Sequence, residues 1–461
     1  MTTSPDSPPR LSTHSPKRSL CFLTSFIALL ILVQIQAIKF PLSFSLSSSS
    51  SLWPFFQQNK LELHRTQTML QDSVTFLPLK DLRFTKEPMS GNTWFMSSID
   101  DTYEDGESQH LYFPSSESKG RLLCLFGNNT GDGAKNSYAL AWPEALPHNA
   151  TLLTGLTFMS DTYYDYHNIW HGLTAISPFV AWHLRKECAV PARWVLFHWG
   201  ELRTRMSPWI QALVEASIGK VMIEKFENSG HRPTCFEKVV VFRHNQGSMG
   251  KERKEEVYDL MRCKTRAFCN ISQEIGDPKG IRLTLLLRDG SRSFKDEPAV
   301  IRIFDRECRK VEGCRFKVAR SNNLTFCDQV KLLSDTDVFV SAHGAQMTNL
   351  VFMDKNSSIM EFYPKGWRER AGAGQYVFRW LAEWARMRHQ GSWWDPKGEP
   401  CTHDDEGSCF SHYKDAQLGH DEAYFANWTA KVLHEMKVYK LAAASQNSSH
   451  PQLGSRPCPC S

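Results

Sequence analysis

The sequence has no C-x-x-C pair, no G-x-S-x-G, no P-loop and no H-E-x-x-H. The usual signatures of dithiol exchange, of serine hydrolases, of Walker-type nucleotide binding and of zinc proteases are therefore missing. A large basic excess is missing too: the formal net charge is +5 over 461 residues, and the basic residues are scattered. That balance makes no nucleic-acid surface, and no nucleic-acid partner is expected. Internal repeats are also lacking. What remains is an ordinary globular composition, 41% hydrophobic and 22% charged, long enough for two domains.

The N-terminus carries an address. Residues 1–19 are polar and rich in Pro and Ser, with Arg10, Lys17 and Arg18 against the single acid Asp6. Residues 20–38 are almost wholly apolar, about the length of a membrane-spanning helix. A cleaved signal peptide has a shorter apolar core and small residues at its end. Lys39-Phe40-Pro41 is a poor cleavage context, so the expectation is an uncleaved transmembrane anchor. Positive charge before the span places residues 1–19 in the cytosol and the rest of the chain in a lumen. Residues 39–80, Ser-rich with Ser47 to Ser51 unbroken, read as a stem.

Cysteines and glycosylation triplets agree with a lumenal body. Cys21 sits in the apolar run and twelve cysteines follow it, an even number that suits disulfides. The local candidates are Cys263 with Cys269, Cys308 with Cys314, and Cys401 with Cys409. N-x-S/T triplets stand at Asn128, Asn149, Asn270, Asn323, Asn356, Asn427 and Asn447. His403 and His412 beside Cys401 and Cys409 fit no structural zinc spacing well, and a disulfide loop accounts for the cysteines.

Along the body, strands alternate with helices. Apolar runs at 121–126, 194–197, 238–242, 282–288, 315–318, 338–341 and 359–363 read as strands. Helices are expected over 165–188, 208–218 (Ser207 as N-cap), 251–261, 297–310, 326–333, 346–353, 378–388 and 430–441, with a disordered tail beyond. Continuous apolar strands separated by helices predict a parallel, doubly wound α/β sheet. Ligands in such folds sit at the carboxyl ends of the strands.

Two strand ends carry chemistry. One is Arg288-Asp289-Gly290-Ser291-Arg292, and the other is Ser341-Ala342-His343-Gly344-Ala345. Arginines plus the N–H groups that open a helix can neutralise a diphosphate without a metal. Asp335-Thr336-Asp337 has the D-x-D form that holds a divalent cation in many sugar transferases. It precedes its strand and so lies at the far end from His343; helix capping and turn formation explain it better, and no metal site is assigned. Glu361 interrupts an apolar strand, where a carboxylate needs either a salt-bridge partner or a ligand hydroxyl. Upstream, Asp165-Tyr166-His167-Asn168-Ile169-Trp170-His171 sets Asn168 and His171 three apart, on one helical face. His171 is either a general base of near-neutral pKa or a satisfied core histidine.

Ser341 to Asn349 followed by Ile359-Met360-Glu361-Phe362-Tyr363-Pro364 resembles the signature of glycosyltransferase family 61: a strand, H-G-A-x-x-T-N, then an apolar strand with Glu and a nearby Pro. Arg288 and Arg292 resemble its upstream arginine pair, and Asn168-Ile169-Trp170-His171 its early N-x-x-H element. Gln346-Met347 stands where members typically have Gly-Leu. The chain looks most like the plant branch, whose Golgi type II membrane proteins add pentoses to xylan. Relatives in animals transfer N-acetylglucosamine to protein.

The resemblance implies a GT-B fold after the N-terminal anchor, with two Rossmann-like domains facing a cleft. The acceptor-side domain would span 81–250, the nucleotide-sugar domain 251–400, and an extension 401–461. It implies an inverting transferase that moves xylose or arabinose from a UDP-sugar to a cell-wall polysaccharide such as xylan, usually with no essential cofactor or divalent metal. A glycoprotein acceptor with an N-acetylglucosamine donor, or a non-catalytic glycan-binding or partner protein of the same fold, are the alternatives. The implied roles give the nucleotide sugar to Asn168, Arg288, Arg292, Ser341, His343, Gly344, Ala345 and Glu361, and the base to His171 or Asp165. Association with other Golgi transferases is left open by the resemblance.

Overall fold

The structure is a computed structural model that describes residues 52–81, 94–95, 102, 104–127, 136–161, 168–197, 206–225, 232–242, 249–271, 279–446 and 458–460. The expected cytosolic tail and anchor, Asp165, and the triplets at Asn128 and Asn447 lie outside the described residues. Among the described residues no helix is long and apolar enough to cross a membrane. The chain divides into two compact units, Met1–Thr66 and Gln67–Ser461. Helix α1 (Leu52–Asp72) occupies much of the expected stem, and in the first unit its Leu61 and Leu63 are exposed.

Within the second unit the first half builds a mixed sheet. Its elements are β1 (Leu77–Pro78), β2 (Lys80–Asp81), β3 (Trp94–Phe95), β4 (His110–Phe113), β5 (Leu122–Phe126), β6 (Ser137–Ala141), β7 (Thr151–Asp161), α2 (Ile169–Arg185), β8 (Arg193–Phe197), α3 (Pro208–Ser217), β9 (Met222–Lys225) and β10 (Thr234–Phe242). The strands run in the order β1-β6-β5-β10-β7-β8-β9, with β4 also on β10; β2 and β3 pair separately. Strands β10, β7, β8 and β9 are mutually parallel, as expected of a doubly wound unit, whereas β1, β6, β5 and β4 are antiparallel additions. Ser207 caps α3 as expected, accepting from the Ile210 N–H at 3.4 Å, with Pro208 opening the helix where no N–H is needed.

The second half continues with α4 (Lys251–Phe268), β11 (Ile281–Leu287), α5 (Glu297–Arg309), β12 (Cys314–Arg320), α6 (Phe326–Ser334), β13 (Val338–Ala342), β14 (Ser358–Tyr363), α7 (Trp367–Arg370), α8 (Val377–Trp384), β15 (Arg388–Trp394), α9 (Glu406–Asp415) and α10 (Glu422–Gln446). The sheet is wholly parallel, ordered β12-β11-β13-β14-β15. Strands β13 and β14 are buried throughout because helices cover both faces, which is why their sequences are unbroken apolar runs. Counted from β11, the order is 2-1-3-4-5, so the direction of winding reverses between β11 and β13. A crevice opens at such a switch point, outside the carboxyl ends of the two strands.

The two sheets share a core. One continuous cluster joins Phe158, Trp194 and Val240 of the first sheet to Leu286, Phe339 and Ile359 of the second through α2, α3, α4 and α8. The boundary expected at 250/251 falls between the sheets, just before α4, but both halves belong to the same compact unit.

Four local expectations are corrected. The segment after Gly344 is a 3-10 helix, Ala345–Phe352, with i to i+3 bonds such as Met347 N–H to the Gly344 carbonyl at 2.9 Å. The helix expected over 378–388 stops at Trp384, and polar edge strand β15 follows. Cys263 does not pair with Cys269. Six residues along one helix they are about 9 Å apart in rise, too far for a disulfide. The bridges are Cys124–Cys235, Cys188–Cys458, Cys263–Cys460, Cys269–Cys327, Cys308–Cys314 and Cys401–Cys409. The C-terminal residues read as a disordered tail thus include two bonded cysteines, and α10 runs on to Gln446.

Candidate functional site at the strand switch point

A cavity of about 690 Å³ opens at the ends of β11 and β13. It brings together residues far apart in the sequence: Asn168 and His171 from the start of α2, Arg288 and Arg292 after β11, and His343, Gly344 and Ala345 after β13. Of the expected site residues, Ser341 and Glu361 do not line it and Asp165 is not described.

The two arginines define its electrostatics. Arg288 donates from Nη1 to the His343 carbonyl at 3.2 Å. Arg292 adopts a left-handed conformation, φ 60°, in the turn after Gly290, and its guanidinium lies 5.4 Å from the Trp367 ring centre. Among the described residues neither arginine forms an ion pair, and both Nε atoms are buried without a hydrogen-bond partner. Burial lowers both pKa values. Arg292, with Arg288 repelling it as well, is pushed down to about 10, and the more distant Asp415 offsets this only in part. The pair is still charged at neutral pH, so two half-buried like charges face one cavity with no ion pair among the described residues, an arrangement that favours an anion.

Gly344 lets the pair come close. A Cβ there would sit 2.2 Å from Arg288 Nη1. Any side chain would displace the guanidinium from the His343 carbonyl.

His343 is held from behind. Its Nδ1 lies 2.7 Å from Glu361 Oε1, and the other carboxylate oxygen is 2.8 Å from His389 Nε2. Glu361 is fully buried, which works to raise its pKa, but the hydrogen bonds from the imidazoles prevail and hold it down at about 2. An ionised carboxylate only accepts, so His343 carries a proton on Nδ1 and His389 on Nε2. The Gly391 N–H donates to His389 Nδ1 at 3.3 Å, as that tautomer requires. Burial lowers the His343 pKa, and both arginines push the same way against Glu361. The neutral ring then keeps its lone pair on Nε2, which suits it to accept a bond from a ligand hydroxyl. Glu361, expected to touch a sugar, instead orients His343: both its oxygens are occupied.

Ser341 is likewise a support. It is fully buried, donates to the Leu286 carbonyl at 3.1 Å and accepts from Gln346 Nε2 at 2.7 Å. Gln346 lines the cavity, whereas Met347 points into the core. Asn168 is the N-cap of α2, its side-chain oxygen accepting from the Trp170 N–H at 3.1 Å. His171 lies in the first turn of that helix and faces the cavity opposite the arginines' strand.

Asp335 and Asp337 sit at the other end of the sheet. Asp335 is the C-cap residue of α6 and pairs with Arg282 and Lys317; Asp337 accepts from Arg282 and Lys440. These pairs account for the D-x-D acids.

Sequence reasoning missed Trp367, Phe378, Phe410 and Lys414, which also line the switch-point cavity; Asp289 lines it as well, its carboxylate paired with Arg320. Phe410 and Lys414 belong to α9, which the Cys401–Cys409 bridge pins at its start. An aromatic and a lysine four residues apart, next to a short disulfide loop, were the available signal. A larger cavity of about 780 Å³ opens on the other side of α9, around Glu399, His403 and His412. Its lining includes neither Arg288 nor Arg292, nor His343, Gly344 or Ala345, and the switch-point cavity is the better candidate on topology and charge.

Residues 150–360 match the family model Glycosyltransferase 61. The matched span includes Asn168, His171, Arg288, Arg292, Ser341, His343, Gly344 and Ala345 and stops one residue before Glu361. The match supports glycosyltransferase activity, and with it a nucleotide-sugar donor and a glycan acceptor. No curated protein matches the chain. Among solved structures, an oxidoreductase from Corynebacterium diphtheriae aligns at 13% identity over 34% of this chain and 98% of its own, with a TM-score of 0.21, too low to carry an argument.

Proposed function

We propose that the protein is an inverting glycosyltransferase that holds the diphosphate of a UDP-sugar between Arg288 and Arg292. The observation that carries this is the pair of half-buried guanidiniums at the switch point, which form no ion pair among the described residues and whose Nε atoms are buried without a partner. A sugar–diphosphate supplies the missing anion and gains negative charge on its leaving oxygen during transfer, when fixed cations matter most. His343 Nε2 accepts from a ribose or sugar hydroxyl.

In the reaction an acceptor hydroxyl attacks the anomeric carbon from the face opposite the diphosphate. The new C–O bond forms as the bond to the phosphate oxygen breaks, and UDP departs with the electron pair. His171 takes the hydroxyl proton; Asp165 is the other candidate base. The arginines supply the positive charge, so the proposed step requires no metal.

The favoured donor is UDP-xylose or UDP-arabinose and the favoured acceptor a xylan-type polysaccharide. The body is read as a GT-B enzyme held in the Golgi lumen by residues 20–38, for which the six disulfides are support. The deciding experiment is a panel of UDP-sugars titrated onto the purified protein, then assayed with xylo-oligosaccharides. Binding of a UDP-pentose and transfer that survives EDTA are expected. Preference for UDP-N-acetylglucosamine would replace the donor, and no affinity for any UDP-sugar would end the catalytic reading.

A further inference from the structure

Behind the donor cavity lies a second one, of about 400 Å³, lined by Arg368, Gln375, Tyr376, Arg379, His389 and Trp394 among others. Neighbouring residues of one segment serve both. Trp367, Val377 and Phe378 face the first cavity, and Arg368, Tyr376 and Arg379 face the second. Two connections cross between them. Glu361 bonds His343 on one side and His389 on the other. A stack of rings also runs through: His343 on Tyr363 at 4.7 Å, Tyr363 on Trp394 at 3.9 Å, and Arg368 lying 5.3 Å from the Trp394 ring centre.

The chemistry of the second cavity is specific. Arg368 and Arg379 are both exposed and, among the described residues, neither forms an ion pair. Among the described residues no carboxylate lines the cavity. Tyr376 and Trp380 expose 39% and 37% of their surfaces, with ring centres 5.8 Å apart on the outer side of α8. Exposed rings one turn apart offer flat faces at a spacing close to that of successive sugar rings, whose axial C–H groups pack on aromatic faces. Unpaired arginines in the same place select a carboxylate, which their planar fork can grip with two bonds. The volume suits a sugar or two rather than a nucleotide sugar.

We infer that this second cavity binds a uronate-bearing unit of the glycan acceptor. The carboxylate sits with Arg368 and Arg379, and the sugar chain runs over Tyr376 and Trp380. The ligand class, a glycan, rests on the glycosyltransferase reading; the preference for an acidic sugar rests on the arginines.

The test is calorimetric titration of the intact protein with an oligogalacturonide and with a neutral xylo-oligosaccharide of equal length, beside a separate titration with UDP. The acidic glycan is expected to bind at least about tenfold tighter at low salt, the size of one charge-assisted hydrogen bond. That margin should vanish in Arg368→Ala/Arg379→Ala while the UDP affinity stays unchanged, which also reports an intact fold. Tyr376→Ala/Trp380→Ala should weaken both glycans together. Equal binding of the two glycans, no binding of either, or a preference that survives the double arginine variant would overturn the inference. If the wild-type protein fails to bind UDP, the donor-site reading falls instead, and the glycan titrations still decide this one.

Discussion

Arg282 near the start of β11 and Arg288 just past its end are six positions apart, and their surroundings are opposite. At the amino end of β11, Arg282 is saturated: Asp337 accepts from its backbone N–H and its guanidinium, and Asp335 lies at 3.2 Å. Its pKa is raised, first by the Asp337 hydrogen bonds. Just past its carboxyl end Arg288 forms no ion pair among the described residues, and burial lowers its pKa. One arginine holds the sheet together and the other waits for something to hold. The difference teaches that burial of a cation is uninformative until its partners are counted.

The comparison can be broken at either end. The largest effect should come from Arg282→Ala, which leaves buried Asp337 with Lys440 as its one charged partner among the described residues; a loss of about 3–5 kcal/mol is expected in denaturant unfolding. A stable variant would mean the network contributes little. Next, Arg288→Ala should cost UDP affinity about 10- to 150-fold, corresponding to about 1.5–3 kcal/mol for a charged hydrogen bond. Its melting temperature should hold or rise, because a half-buried like charge has been removed. Unfolding without loss of binding in the surviving fraction would make Arg288 structural, like Arg282.

Glu361 sharpens the contrast through pH. Its folded pKa, about 2, lies below the ordinary 4.5, so its stabilising contribution is complete above about pH 4.5 and disappears as pH falls towards 2. Denaturant unfolding of wild type and Glu361→Gln should differ most at neutral pH and converge in acid, and the variant should also lose donor affinity as His343 loses its anchor. A constant gap across that window would contradict an ionised Glu361. The smallest effect belongs to Gly344→Ala. Displacing Arg288 from one carbonyl should cost about 0.5–1.5 kcal/mol of UDP binding, with little change in stability.

Much of the second half was legible in sequence because its physics is local. Strands β11, β13 and β14 are buried on both faces and so read as apolar runs; α5 and α6 carry their own caps at Asp296 and Thr325. The meeting of Asn168 and His171 with Arg288 and His343 was legible only through the family resemblance. Strand β7 was overlooked because Thr151, Thr154, Gly155 and Thr157 interrupt its apolar pattern; its pairing with β8 and β10 is long-range information. Strand β15 has an edge strand's polar sequence, with no apolar run to announce it. The role of Glu361 turned on His389, a residue that nothing in the sequence joined to it.

One covalent feature sets a schedule for the whole assembly. Cys188, just beyond α2, and Cys263, within α4, are joined to Cys458 and Cys460. During synthesis these two thiols emerge long before their mates, and throughout that interval each is open to premature exchange with Cys235, Cys269 or any other early thiol. Correct closure therefore comes last on the ribosome's clock. A stop codon or frameshift only a few residues before position 458 would spare every group lining the switch-point cavity and still release a protein with two orphaned thiols.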